Sequence, residues 1–164
     1  MGETFEIVYE DATLRQAYAR NVHLVAWYDA PTLEQMHAYG RAAQTLSARY
    51  RGRSALINAI VEGFPRFTPE VRQAAAEYSR KGAHGVGTAH VILVGGLLGS
   101  SVRAFLSTAN LIGRPKNPTK VFGDLATASA FVAALLSADG TERWEREPLN
   151  SLAERVVQRS ASPA

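Results

Sequence analysis

The sequence predicts a mixed α/β domain in which helices pack against a mainly parallel sheet. Short apolar segments alternate along the chain with longer segments of helical periodicity, which is typical of parallel strands joined by helices. Two strand-like segments at the N-terminus have no helix between them, and this arrangement predicts an antiparallel pair. The length of 164 residues suits one domain with one core.

The N-terminal part predicts two strands and a capped helix. Apolar side chains recur at every second position over residues 5–9, and residues 21–28 are mostly apolar, so both segments have strand patterns. The pattern at residues 14–19 is ambiguous and fits a longer hairpin. Thr32 suits the cap of a first helix, and Gly52 with its surrounding arginines suits the end of that helix.

The middle of the chain predicts a central strand, a helix and a further strand. Residues 55–61 are almost all apolar, which is typical of a strand covered on both faces. Thr68 followed by Pro69 predicts the cap and first position of a second helix that reaches about Lys81. Residues 89–94 form the next apolar strand.

The rest of the domain repeats this alternation. Ser100 or Ser101 suits the cap of a third helix, residues 121–122 form a short strand, and Asp124 caps a fourth helix with an apolar face. We assign residues 1–140 to the α/β domain.

The C-terminal segment predicts a separate amphipathic helix within residues 141–159. Ser151 and Glu154 have the spacing of a capping box, and Trp144 can extend the apolar side of the helix. The apolar side of this helix either docks on its own domain or packs against a second chain. In the second case the protein forms a homodimer. We expect residues 160–164 to be disordered.

Composition limits the classes of partner and chemistry. The formal net charge is +3, a small excess that does not indicate a nucleic-acid partner, and we expect none. Cysteine is absent, which excludes thiol catalysis, disulfides and cysteine-bound zinc. No leader-like N-terminus or membrane-spanning apolar run is present in the sequence, so we expect a cytoplasmic protein that does not enter a membrane.

The segment from residue 89 to residue 136 carries a resemblance to a known family. Its strand HVILVGG, helix VRAFLSTANLIG and final segment KVFGDLATASAFVAALL resemble the STAS group, in particular its SpoIIAA-like branch. The resemblance implies a STAS-like fold over most of the chain. It also implies a regulatory or protein-interaction module without catalytic activity, whose partner is a protein such as a kinase or an anti-sigma-like regulator.

In the STAS antagonists of anti-sigma factors, the loop before the second helix carries an Asp-Ser pair whose serine is phosphorylated by a partner kinase. Here the aspartate is missing, and Thr68 stands near the position of the serine. A phosphate at Thr68 would meet the unpaired N–H groups and positive dipole of a helix N-terminus. Helix capping alone accounts for Thr68, so the resemblance gives it only as a possible phosphosite.

The same loop and the second helix form the predicted partner-binding surface. Phe64, Arg66, Phe67 and Arg72 combine aromatic and arginine side chains, the residue types that anchor protein interfaces. The STAS family uses this edge to contact its partners. The alternative is that both phenylalanines turn under the loop into the core.

A second functional hypothesis is a sensor or carrier of a small ligand or anion. The glycines at residues 95–99 lie between a strand and a helix, but their spacing matches neither a dinucleotide-binding loop nor a P-loop. Ser100, Ser101 and Arg103 are available as anion donors near the start of the third helix. An apolar cavity is the other location in which such a ligand could bind.

The sequence offers no constellation for catalysis or metal binding. His23, His37, His84 and His90 lack the spacing of a metal site, and no GxSxG motif exposes a nucleophilic serine. We therefore assign no catalytic residue, metal ligand or cofactor, and predict that the protein is not an enzyme.

Overall fold

The computed structural model describes residues 2–63 and 67–158, without the side chains of residues 109–112. Strands and helices alternate over most of this range. In chain order they are β1 (Glu6–Glu10), β2 (Leu14–Ala19), β3 (Val22–Trp27), α1 (Leu33–Arg49), β4 (Ala55–Ile60), α2 (Pro69–Lys81), β5 (Gly87–Ile92), α3 (Gly96–Gly113), β6 (Thr119–Phe122), α4 (Leu125–Asp139) and α5 (Arg146–Val157).

The strands form one mixed sheet in the order β1-β2-β3-β4-β5-β6. The strands β1, β2 and β3 are antiparallel neighbours, and β3 to β6 pair in parallel across intervening helices. The predicted mixed sheet with an antiparallel start is confirmed. The ambiguous segment at residues 14–19 is a separate strand, because a tight turn after Ala19 leads directly into β3.

The two faces of the sheet differ in chemistry. Helices α4 and α5 cover one face, where Leu24, Ile57 and Leu136 belong to one large apolar cluster. Helices α1, α2 and α3 cover the other face, where the apolar clusters are smaller and side chains such as Asn58 are buried among them. Because successive side chains of a strand point to opposite faces, polar strand residues such as His23 and Asn58 lie together under α1, α2 and α3.

Three helix starts agree with the sequence prediction. Thr32 forms a capping box with Gln35 at the start of α1, Thr68 caps α2, and Asp124 caps α4. Each cap satisfies a backbone N–H group of the first turn that has no partner within the helix.

Two predicted helix starts are wrong. The helix α3 begins at Gly96, so Ser100 and Ser101 lie inside it instead of capping it. The helix α5 begins at Arg146, so the predicted capping box at Ser151 lies in its middle. The helix α3 can include Leu97 because leucine has a high helix propensity. The helix α5 can include Pro148 because proline in the first turn of a helix costs no hydrogen bond.

The C-terminal helix packs against its own chain. The Arg15 guanidinium donates to the carbonyl oxygens of Val156 at 3.2 Å and Gln158 at 3.1 Å, and the Tyr28 hydroxyl donates to Val157 at 2.7 Å. These bonds supply the carbonyl groups at the end of α5 with partners from the sheet. Residues 160–164, predicted as a disordered tail, lie outside the described residues.

The indole of Trp144 fixes the segment before α5. Its Nε1–H donates to Asn21 Oδ1 at 3.0 Å, and the ring is buried with the guanidinium of Arg20 stacked over it.

Across the described ranges, no helix combines the length and the apolar character that crossing a membrane requires.

Candidate functional site

A cavity of about 130 Å³ lies between the sheet and helices α1, α2 and α3. Strands β3, β4 and β5 form its floor, and the three helices form its walls. Its apolar surface includes Met36, Tyr39, Leu56, Phe67, Phe105 and Leu106. A mostly apolar pocket with a few polar groups is the usual form of a small-molecule site.

A chain of hydrogen bonds crosses the floor of the cavity. The Trp27 indole N–H donates to Asn58 Oδ1 at 2.8 Å, and Asn58 Nδ2 lies 3.0 Å from His90 Nδ1. Asn58 and His90 are direct neighbours across β4 and β5, so both side chains emerge on the same face of the sheet. All three residues line the cavity.

His90 keeps part of its ring accessible inside the cavity. The residue His90 is half-buried. Burial by the surrounding protein nevertheless lowers the pKa of His90 to about 4. Because the residue lies deep in the protein and lines the cavity, its accessible part faces the cavity and not the outer surface. The ring is therefore neutral at pH 7.

A second buried chain lies beside the cavity and reaches it through His84. Gln16 Oε1 lies 3.0 Å from His23 Nε2, and His23 Nδ1 lies 3.2 Å from His84 Nε2. His84 Nδ1 then lies 3.0 Å from Ser54 Oγ. Burial lowers the pKa of His84 to about 3 and lowers the pKa of His23 well below its usual range.

The loops after β3 and β4 approach closely at one end of the cavity. Gly63 has φ +110°, and a Cβ there would lie 2.5 Å from the Cα of Asp29, so this position requires glycine. The close approach places the exposed side chains of Asp29 and Glu62 at the rim. The described charged residues of the rim are these two acids and Lys81, which lies at the end of α2.

The predicted partner-binding residues point in different directions. Phe67 is half-buried, lines the cavity and stacks on Phe105 with ring centroids 3.6 Å apart, whereas Arg72 is exposed on α2. Phe64 and Arg66 lie outside the described residues. For Phe67, the alternative in which the ring turns under the loop is the one that the structure shows.

Thr68 is an exposed helix cap. Its Oγ1 accepts a hydrogen bond from the N–H of Val71 at 3.3 Å, which is the structural role that the sequence also allowed. Phosphorylation at this position stays a prediction.

The predicted anion donors lie on α3, about one to two turns beyond the helix start. The Ser100 hydroxyl donates to Gly96 O at 3.3 Å and the Ser101 hydroxyl donates to Leu97 O at 3.0 Å. Both hydroxyls are thus used inside the helix, while Arg103 is exposed. The geometry does not bring the three side chains to the N-terminal N–H groups of α3.

The spacing of residues in the sequence does not predict the grouping of Trp27, Asn58 and His90. A usable signal was present, since Asn58 and His90 are polar residues within strands that are otherwise largely apolar. Their contact depends on the register of β4 against β5, which the sequence does not display. Within residues 2–63 and 67–158, no cluster of three or more histidine, aspartate or glutamate side chains is arranged to hold a metal ion.

Comparisons of the chain with protein-family models, with curated proteins and with solved structures found no match. The cavity itself offers aromatic and aliphatic surface for packing, together with a neutral imidazole for hydrogen bonding. This set of groups suits the binding of a small molecule.

Proposed function

We propose that the protein is a non-enzymatic module that binds a small molecule in the cavity beneath α1, α2 and α3. The observation that carries the proposal is an aromatic-walled cavity of about 130 Å³ with the neutral His90 on its floor. An apolar cavity of about 150 Å³ in a protein core holds benzene. The expected ligand is therefore about the size of one ring, with any further part reaching toward the rim.

Toluene is a suitable first probe because it tests the cavity without requiring a hydrogen bond. Titration followed by backbone amide NMR shifts is expected to give saturable binding with a dissociation constant of about 1 mM. The shifts should be largest for residues around the cavity, such as His90 and Leu106.

A matched pair of variants tests the location. Ala75 lines the cavity on α2, and Ala75→Leu would fill part of it. Ala104 is exposed on α3, so Ala104→Leu adds the same atoms outside the cavity. Toluene binding should weaken about tenfold or more in the first variant and stay unchanged in the second. Equal binding to both variants, or no saturable binding to the wild type, would contradict the proposal.

The second candidate function is the STAS-like regulatory module that the sequence resemblance implies. It is favoured by the exposed charged residues Glu70, Arg72 and Glu77 on α2, which adjoin the loop at the cavity rim. A partner protein such as a kinase or an anti-sigma-like regulator would contact this surface. Phe67 packs inside, so the proposed contact rests on the charged side chains of α2.

Arg72→Glu tests this surface without disturbing the cavity. Recovery of a specific partner from lysate should fall for Arg72→Glu and persist for Arg146→Glu, which changes an exposed arginine on α5. Equal recovery by the wild type and both variants would remove α2 as the contact surface.

A further inference from the structure

We infer that the ligand of the cavity is a neutral, ring-containing molecule whose hydrogen-bond acceptor, such as a carbonyl oxygen, accepts from the Nε2–H of His90. This inference rests on the proposed small-molecule function and narrows it to one chemical class. It follows from the tautomer of His90, the charges around the cavity and the shape of its walls.

The indole of Trp27 determines the orientation of the Asn58 amide. An indole N–H can only donate, so the atom of Asn58 that lies 2.8 Å from Trp27 Nε1 must be the oxygen Oδ1. The amide nitrogen Nδ2 then faces His90. Had the amide been reversed, two donor groups would face each other at hydrogen-bonding distance.

The orientation of Asn58 in turn determines the tautomer of His90. An amide NH₂ group can only donate, so His90 Nδ1, at 3.0 Å, must be the unprotonated acceptor. The ring is neutral because burial lowers its pKa to about 4. A neutral imidazole carries one proton, and here that proton lies on Nε2.

The Nε2–H group is available to a ligand. It makes no hydrogen bond to any described residue, and it is not among the described polar atoms that are sealed from solvent without a partner. Since the accessible part of the ring faces the cavity, this N–H is presented to whatever occupies the cavity. A bound molecule with an acceptor atom would satisfy the N–H, whereas a purely apolar molecule would leave it unsatisfied.

The charges around the cavity favour a neutral ligand. The described charged lining residues are Asp29, Glu62 and Lys81, all exposed at the rim, and two of the three are acidic. An anionic group on the floor would meet the neutral His90 and would lose its hydration without a buried cation among the described lining residues. A carbonyl oxygen has a much smaller desolvation cost and accepts the same hydrogen bond.

The walls favour a planar ring. Tyr39, Phe67 and Phe105 place aromatic rings around the cavity, and rings stack on such surfaces in offset or edge-on arrangements. The volume of about 130 Å³ matches one ring.

Two nearly isosteric probes test the hydrogen bond directly on the wild-type protein. Acetophenone carries a carbonyl oxygen where α-methylstyrene carries a CH₂ group, so their difference isolates the acceptor. Acetophenone is expected to bind about three- to tenfold more tightly, as one net hydrogen bond predicts. Benzoate, which offers a charged acceptor, is expected to bind more weakly than acetophenone.

The imidazole itself provides a second readout. In ¹⁵N spectra at neutral pH, His90 should show a protonated Nε2 and an unprotonated Nδ1, and acetophenone should shift the Nε2 signal more than α-methylstyrene does. His90→Phe keeps a ring and removes the donor, so it should abolish the preference for acetophenone. The affinity of the His90→Phe variant for α-methylstyrene shows whether the cavity of the variant remains intact.

The outcomes separate this inference from the proposed function. If toluene and α-methylstyrene bind and acetophenone binds no more tightly than α-methylstyrene, the proposed contact with His90 is wrong. The proposed small-molecule function is then unaffected. Tighter binding of benzoate, a proton on Nδ1, or a preference that survives in His90→Phe would likewise overturn the inference alone. If none of the aromatic probes binds, both proposals fail.

Discussion

The polar side chains on the cavity floor are joined by hydrogen bonds through one residue, Asn58. Asn58 is 8% exposed and acts as the link between Trp27 and His90, accepting from one and donating to the other. A polar residue inside a buried strand is costly unless its hydrogen bonds are satisfied. The position therefore has a defined structural role in addition to its place at the site.

Asn58→Ala tests the energetic importance of this link. The change leaves the buried Trp27 N–H without its acceptor, so the free energy of unfolding should fall by about 1–3 kcal/mol. Urea denaturation measures the change. Thr108→Ala is a suitable control, because the Thr108 hydroxyl is exposed and bonds only within α3. A loss as small as that of the control would show that the link does not stabilise the fold.

The presence of polar residues in these strands could be read from the sequence, but their partners could not. Asn58 and His90 stand out within apolar segments, but the spacing of the histidines in the sequence only argues against a metal site. Their contact arises because parallel pairing aligns Asn58 with His90, and register is a property of the assembled sheet.

At the scale of helices and strands, three of the predicted side-chain caps are confirmed. Thr32, Thr68 and Asp124 each mark a helix start, because a short polar side chain can satisfy an N–H group locally. The starts of α3 and α5 were mispredicted because neither carries the expected signal. Gly95, which precedes α3, has no side chain, and Glu145 makes no side-chain hydrogen bond to the first turn of α5. Glycine at position 96 also looked like a loop residue, although it begins the helix.

The ring of Tyr78 on α2 packs directly against α1 at Gly40. A Cβ at this position would overlap the ring of Tyr78, which lies against the backbone of α1 and lines the cavity. The glycine thus leaves room for the Tyr78 ring between two cavity walls. In a helix without this contact, alanine would be favoured over glycine by about 1 kcal/mol.

Gly40→Ala should therefore destabilise the protein in spite of its higher helix propensity. We expect a loss of about 1–3 kcal/mol in urea denaturation, because Tyr78 must leave its place. Toluene affinity should also change, since Tyr78 lines the cavity. Gly123→Ala is the control, because a Cβ there meets no atom within 4 Å and the φ angle is not positive. A stabilised Gly40→Ala variant would contradict the proposed packing.

For the whole molecule, the sheet separates a continuous apolar cluster on one face from the cavity and its polar side chains on the other. The face under α4 and α5 carries side chains such as Leu24, Ile57 and Val91, all in one apolar cluster. The opposite face carries Gln16 and His23 together with the site residues and the cavity. The alternation along each strand makes this division readable from the sequence once the strands are known, but the cavity depends on how three helices pack.

The polar side of the sheet holds its histidines in neutral form. With Gln16 Oε1 as an acceptor, His23 carries its proton on Nε2, and its bare Nδ1 accepts from His84 Nε2–H. Ser54 then donates to His84 Nδ1. Burial disfavours the charged form of both rings, and protonating both would set the N–H groups of His23 Nδ1 and His84 Nε2 against each other.

The protein should consequently lose stability in mild acid. His23, His84 and His90 all have a pKa below the 6.5 of an exposed histidine, chiefly because burial disfavours the charged form, with values of about 3 for His84 and about 4 for His90. The unfolded chain therefore binds more protons than the folded protein as the pH falls below 6.5, and the free energy of unfolding declines from there toward pH 3. Each histidine contributes up to about 1 kcal/mol per pH unit within this window. Urea denaturation at a series of pH values measures the slope, which between about pH 6 and about pH 5 should fall by about a third in His90→Phe because one of the three protonation sites is gone. Equal wild-type stability at about pH 7 and about pH 5 would show that these rings do not need to be neutral in the folded protein.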